Sequence, residues 1–77
     1  MKVEILFFGE LAEITETKSL LIDDVNDLSL LKELLIFKFP LLILKPIQIA
    51  VNNNLQIENI SLNDGDVIAL LPPFAGG

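Results

Sequence analysis

With 77 residues the chain has room for one domain, and with 52% hydrophobic residues and no cysteine it must hold together by its core rather than by disulfides. Eleven acids against five lysines and no arginine give a net charge of −6. That excludes a nucleic-acid binder, which needs a basic footprint, and it favours a partner with a basic surface, although the acids also serve simply to keep so apolar a chain in solution. Without Cys or His there is no thiolate nucleophile, imidazole base or ordinary His/Cys metal site, and without Arg no guanidinium clamp for phosphate. Asp, Glu, Lys and Ser leave paired-carboxylate hydrolysis chemically open, but so short a chain has little room for a cleft, and self-contained catalysis is not expected.

Lys2 to Phe8 is rich in branched and aromatic residues, stops at Gly9, and reads as a strand. Alternation puts Val3, Ile5 and Phe7 on one face and Lys2, Glu4, Leu6 and Phe8 on the other, which starts polar and ends apolar. A short turn or single loop of helix comes next, through Glu10 to Glu13. Glu16 to Ile22 reads as a second strand, ended by Asp23-Asp24. Asp27 is a good N-cap for a helix from Leu28 to about Phe39, bounded by Pro40. Leu28, Leu31, Leu35 and Phe39 form its apolar stripe, and Leu30, Leu34 and Phe37 are taken to widen it for burial against a sheet rather than to make a second binding face. Ile47 to Asn52 is a third strand, Asn52-Asn53-Asn54 a tight turn, and Leu55-Gln56-Ile57 a short returning strand. Asn63-Asp64-Gly65-Asp66 is a turn, and Val67 to Leu71 is a last strand, apolar enough to be central and covered.

One helix across a mixed sheet is an α+β arrangement, and with the first and last strands as central neighbours it is the β-grasp. Phe8 and Leu71 then lie on the faces opposite Phe7 and Leu70. The N-terminus lacks a signal-peptide pattern. The apolar run from Leu34 to Leu44 is interrupted by Lys38 and Pro40 and is too short for a bilayer, which needs about 20 residues. The expectation is a cytoplasmic protein with no membrane or nucleic-acid partner.

After residue 71 the chain continues as Pro72-Pro73-Phe74-Ala75-Gly76-Gly77. We expect a domain over 1–71 and an extended tail over 72–77. Consecutive prolines lack N–H donors and favour extended backbone, so they end sheet pairing and project the residues after them. Six extended residues reach about 20 Å. Glycines without a Cβ pass narrow channels, and the terminal carboxylate, ionised at neutral pH, can be activated by ATP as an acyl-adenylate and converted to a thiocarboxylate.

These residues resemble the small, sulfur-carrier subunit of molybdopterin synthase, the MoaD family of ubiquitin-like proteins. The resemblance covers nearly the whole chain: the opening strand Lys2 to Phe8, Leu11-Ala12-Glu13 at its Leu-X-Glu segment, Ala50-Val51-Asn52 at its Ala-Val-Asn, and Asp64-Gly65-Asp66 before the last strand. Most specific is the match of residues 72–77 to its Pro-Pro-X-X-Gly-Gly terminus. The resemblance implies that an ubiquitin-activating-like (MoeB-like) adenylyltransferase uses ATP on the Gly77 carboxylate, that a sulfur donor converts it to a thiocarboxylate, and that the chain itself binds no cofactor or metal. It implies a MoaE-like large subunit that binds cyclic pyranopterin monophosphate and receives the tail, two deliveries making the dithiolene, usually within a heterotetramer. Gly77 would carry sulfur, Gly76 give clearance, Pro72 and Pro73 aim the tail, and Phe74 and Ala75 pack in the partner's channel. Phe8, Leu55 and Leu71 match apolar contacts to the large subunit. Ala12 is a departure, standing where many members carry a basic residue.

Three rivals remain. A sulfur carrier for thiamine synthesis also ends in Gly-Gly but generally lacks the Pro-Pro. A protein modifier would use the same terminus to form isopeptide bonds with lysines and would leave conjugates in a lysate. A binding module would survive loss of Gly76 and Gly77.

Overall fold

The computed structural model describes residues 1–73. Its elements, in chain order, are β1 (Lys2–Phe7), α1 (Glu10–Thr15), β2 (Ser19–Asp23), α2 (Leu28–Lys38), a 3-10 helix (Pro40–Leu44), β3 (Gln48–Val51), β4 (Asn54–Gln56) and β5 (Val67–Leu71). The strands form one mixed sheet in the order β2-β1-β5-β3-β4, with β1 and β5 parallel and the other pairs antiparallel. This is the expected ubiquitin-like β-grasp, with α2 packed across one face. Among the described residues no helix is long and apolar enough to cross a membrane.

The core forms where strand alternation and helix periodicity meet. Val3, Ile5 and Phe7 of β1 and Ile68 and Leu70 of β5 lie buried opposite Leu28, Leu31 and Leu35 of α2. Leu11 of α1 and Leu42 of the 3-10 helix, two elements in contact, belong to the same core, as do Val25 and Leu62, which come together where Leu62 N–H donates to the Asn26 carbonyl at 2.9 Å; Phe39 meets Phe7 edge to face with ring centroids 5.9 Å apart. The start of α2 is fully partnered. Leu28 N–H donates to the Ile60 carbonyl at 2.9 Å, Ser29 N–H to Asn59 Oδ1 at 2.8 Å, and Leu30 N–H to the Asp27 carboxylate at 2.8 Å. The expected N-cap is therefore present, and a distant loop supplies two further acceptors for amides that every helix leaves unpaired.

Four expectations need correction. Leu30, Leu34 and Phe37 do not widen the buried stripe; all three are exposed, Phe37 to 82%. At about 100° per residue, Phe37 lies some 200° around the helix from Leu35, and only one sheet is there to cover α2. The second strand starts at Ser19 rather than Glu16, because α1 runs on to Thr15 and Glu16 takes the left-handed conformation at its end (φ 60°). β5 is central, but only its Ile68 and Leu70 face is buried, and Val67, Ala69 and Leu71 are half-buried on the side α2 does not cover. Finally, Pro40–Leu44 forms a 3-10 helix that periodicity did not assign. The smaller turn readings hold: Asn52 and Asn53 have positive φ, and Gly65 adopts φ 84°.

Replacing Leu31, fully buried between helix and sheet, by Ala should lower unfolding stability by about 2–5 kcal/mol, measurable by urea denaturation.

Candidate functional site

The parallel pairing of β1 with β5 builds the site. Phe7 pairs with Leu70, and Phe8 N–H donates to the Leu70 carbonyl at 3.1 Å. Phe8 and Leu71, one step further along their strands, therefore turn together to the face that α2 leaves open. The register extends this face sideways: Leu6 pairs with Ala69, Ala69 with Ala50, and Ala50 with Leu55. The result is an apolar strip across four strands. Phe8 (44% exposed) and Leu71 meet at one corner, and Leu55 (65% exposed) stands on the far strand, about 15 Å away at ordinary strand spacing. Glu4, Lys2 and Asp23 make the opposite end of the face polar.

The chain leaves this corner over Gly9. Pro72 rests on it so closely that a Cβ at Gly9 would lie 3.1 Å from Pro72 Cγ, and Gly9 has φ 59°. Both facts call for glycine there, since other residues rarely adopt this backbone and the ring occupies the space a side chain would take. Sequence reading missed Gly9, treating it only as the end of a strand; the signal was its place directly after Phe8, where the chain must turn into α1. Pro72 is half-buried on this seat and Pro73 is exposed. The expected tail residues Phe74, Ala75, Gly76 and Gly77 lie outside the described residues.

Beside the corner, Leu6, Phe7, Phe8, Gly9, Ala12, Glu13 and Lys18 line a shallow apolar cavity. Ala12 thus sits on the wall of the site, and Lys18 is the cation on that wall. Two of the family-like motifs have a structural role instead. Asp66 is buried and accepts from Asn52 Nδ2 at 2.9 Å and from Asn63 N–H at 2.8 Å, while Asn52 Oδ1 accepts from Val67 N–H at 3.0 Å. Ala50-Val51-Asn52 and Asp64-Gly65-Asp66 therefore join each other and hold the start of β5. Among the described residues no group of three or more His, Cys, Asp or Glu could hold a metal ion.

A family model described as the ThiS family matches residues 5–77. A molybdopterin synthase sulfur carrier subunit from Drosophila yakuba is 31% identical over an 83-residue alignment, covering 100% of this chain and 92% of that protein. A structure of a protein–protein complex of subunits 1 and 2 of the molybdopterin-converting factor from Helicobacter pylori 26695 contains a chain 40% identical to this one, with 100% of each covered and a TM-score of 0.78. The solution structure of small archaeal modifier protein 1 from Methanosarcina acetivorans is 25% identical, with 99% of this chain and 96% of that one covered and a TM-score of 0.83. On this fold and these matches, the chain belongs to the ThiS family of ubiquitin-like proteins, alongside the sulfur carrier subunits of molybdopterin synthase.

Proposed function

We propose that this chain is the sulfur-carrier subunit of a molybdopterin synthase and acts through its Gly77 carboxylate. What carries the reading is a Pro-Pro-Phe-Ala-Gly-Gly sequence that leaves the end of the central strand beside an exposed apolar corner. A carboxylate oxygen of Gly77 attacks the α-phosphorus of ATP in a MoeB-like adenylyltransferase, and pyrophosphate leaves. Hydrosulfide released by the donor then attacks the acyl carbon, AMP leaves with the electron pair of the broken acyl–oxygen bond, and Gly77 is left as a thiocarboxylate. The tail enters the large, MoaE-like subunit and passes its sulfur to cyclic pyranopterin monophosphate; a second charged carrier completes the dithiolene, in a heterotetramer of two small and two large subunits.

This chain contributes positioning. Phe8, Leu55 and Leu71 dock the helix-free face on the large subunit, with Phe8 and Leu71 at the root of the tail. Pro72 on Gly9 sets the direction of exit, Pro73 keeps the backbone extended, Phe74 and Ala75 pack in the channel, and Gly76 clears its narrow end. ATP is consumed by the activating enzyme, and no cofactor stays on the carrier. The net charge of −6 suits a partner whose pocket is basic enough to hold a phosphorylated pterin.

A second reading, protein modification, rests on the likeness to the archaeal modifier protein, since the same adenylate can be captured by a lysine amine. The intact mass after incubation with the activating enzyme, ATP and a sulfur source separates the two. Replacement of one oxygen by sulfur at Gly77 is expected, followed by transfer to a pterin precursor; lysine conjugates without thiocarboxylate would favour the modifier.

Three variants probe these roles. Deleting Gly77 should abolish sulfur transfer and leave urea unfolding cooperative and unshifted. Phe8→Asp should weaken large-subunit binding by roughly 10- to 100-fold in calorimetry, with little change in the melting temperature, because Phe8 is already partly in water. Gly9→Ala should displace Pro72 and slow single-turnover sulfur transfer by roughly 10- to 100-fold, while the stability lost to the strained backbone (φ 59°, ψ −137°) stays at about 1–3 kcal/mol.

A further inference from the structure

The docking face and the sulfur chemistry leave one feature of the corner unused, the cavity beside the root of the tail. Leu6, Phe7, Phe8 and Ala12 give it an apolar lining, and Glu13 and Lys18, both exposed, are its charged members. At about 620 Å³ it has room for an aromatic ring. Ala12 N–H donates to the Gly9 carbonyl at 3.1 Å, so the first turn of α1 stands directly beside the seat of Pro72, and the short Ala12 side chain leaves the space there open. Lys2 lies 4.0 Å from Asp23 and Lys45 3.0 Å from Glu10, whereas Lys18 makes no ion pair among the described residues.

The described chain stops next to this cavity. Pro72 lies on Gly9, which is itself a cavity residue, and Pro73 follows, exposed. Four residues remain, Phe74-Ala75-Gly76-Gly77, and they extend at most about 14 Å. Lys18 is within that reach. Phe7 N–H donates to the Lys18 carbonyl at 2.9 Å, so Lys18 stands one strand spacing from Phe7, two residues before Gly9. At ordinary strand dimensions this sets Lys18 about 8–10 Å from Gly9. The order of chemistry along the tail matches the order along the cavity: an apolar ring first, beside Gly9 and Ala12, then small residues, then a carboxylate at the distance of the lysine.

We propose that in the free chain residues 74–77 fold back into this cavity, with Phe74 packed against Leu6, Phe8 and Ala12 and the Gly77 carboxylate paired with the Lys18 ammonium. Burial of the ring removes apolar surface of the tail and of Phe8 from water together. Pro72 and Pro73 lower the ordering cost, because their backbone is already restricted in the unfolded chain. Like charge on Glu13 turns the carboxylate away from α1 and towards Lys18. A thiocarboxylate carries the same single negative charge, so the seating does not depend on what Gly77 holds. Phe8 is covered in this state, and a partner that docks on Phe8 must displace Phe74 and so release the tail. That consequence rests on the docking role proposed for Phe8; the seating itself does not.

Solution NMR of the full chain with a free Gly77 carboxylate, over a dilution series, tests this together with Lys18→Glu and Ala12→Gln. The native chain is expected to show NOEs from the Phe74 ring to the Ala12 methyl and the Phe8 ring, heteronuclear NOEs at Ala75 and Gly76 as high as those of β5, and no change on dilution. Lys18→Glu reverses an exposed charge and Ala12→Gln fills the cavity, so both should lose these contacts and keep native amide shifts in the sheet. A Phe74 ring without contacts to the cavity overturns the proposal. Contacts that fade on dilution overturn it too, since they place the tail in the cavity of a second copy. Contacts that persist in Lys18→Glu overturn the pairing with Gly77. If Ala12→Gln fails to fold, the native and Lys18→Glu spectra decide. No sulfur source or activating enzyme is present, so failure here leaves the carrier reading to the mass measurement on Gly77.

Discussion

The parallel pairing of β1 with β5 is the contact on which the rest of this molecule depends. It joins the first strand to the last, across nearly the whole chain, and no local signal can hold such a pairing by itself. Its core side is closed by Ile5 and Ile68, both fully buried under α2. At the start of β5 the pairing is held by polar contacts: Glu4 N–H donates to the Asp66 carbonyl at 3.0 Å, Gly65 N–H to the Lys2 carbonyl at 2.8 Å, and Asp66 anchors Asn52 of the neighbouring strand. At the far end the same register brings Phe8 beside Leu71 and lays Pro72 on Gly9. Site geometry is thus a direct consequence of the fold's longest-range contact.

This arrangement divides labour among residues that look equally suggestive in the sequence. The Asn52 and Asp66 motifs satisfy each other's hydrogen bonds and fix where β5 begins, where a buried carboxylate without partners would be costly. Gly9 looks like simple punctuation, yet it is the surface on which the tail's first proline rests.

A small domain with so high an apolar content cannot hide all of it. One sheet face and one helix stripe bury what they can; besides Leu41, Ile43 and Leu44 on the 3-10 helix and Ile57 after β4, the remainder emerges in the helix-free strip from Phe8 to Leu55 and in the groove between β2 and α2 with Phe37 at its lip. A single helical layer over a five-stranded sheet allows no third layer to cover either.

Composition, alternation and capping residues determined much of this protein without reference to its fold. The strand order along the chain, the Asp27 cap, the Asn-rich and Asp-Gly turns and the Val3-Ile5-Phe7 core face are local properties, set by side-chain period and backbone preference over a few residues. The terminal motif, set behind a β-grasp pattern, likewise points to the family from sequence. Tertiary structure decided the rest. Phe37 could not be placed by counting apolar residues, because its exposure depends on how many layers surround α2. The end of α1 at Thr15, where its hydroxyl bonds the Leu11 and Thr17 carbonyls, shifted β2 by three residues. The seat of Pro72 on Gly9 could not be read at all, because residues 63 apart in the chain meet there only once β1 and β5 are paired. Local sequence sets which elements form, whereas which side chains meet is fixed by contacts between segments that have no sequence proximity.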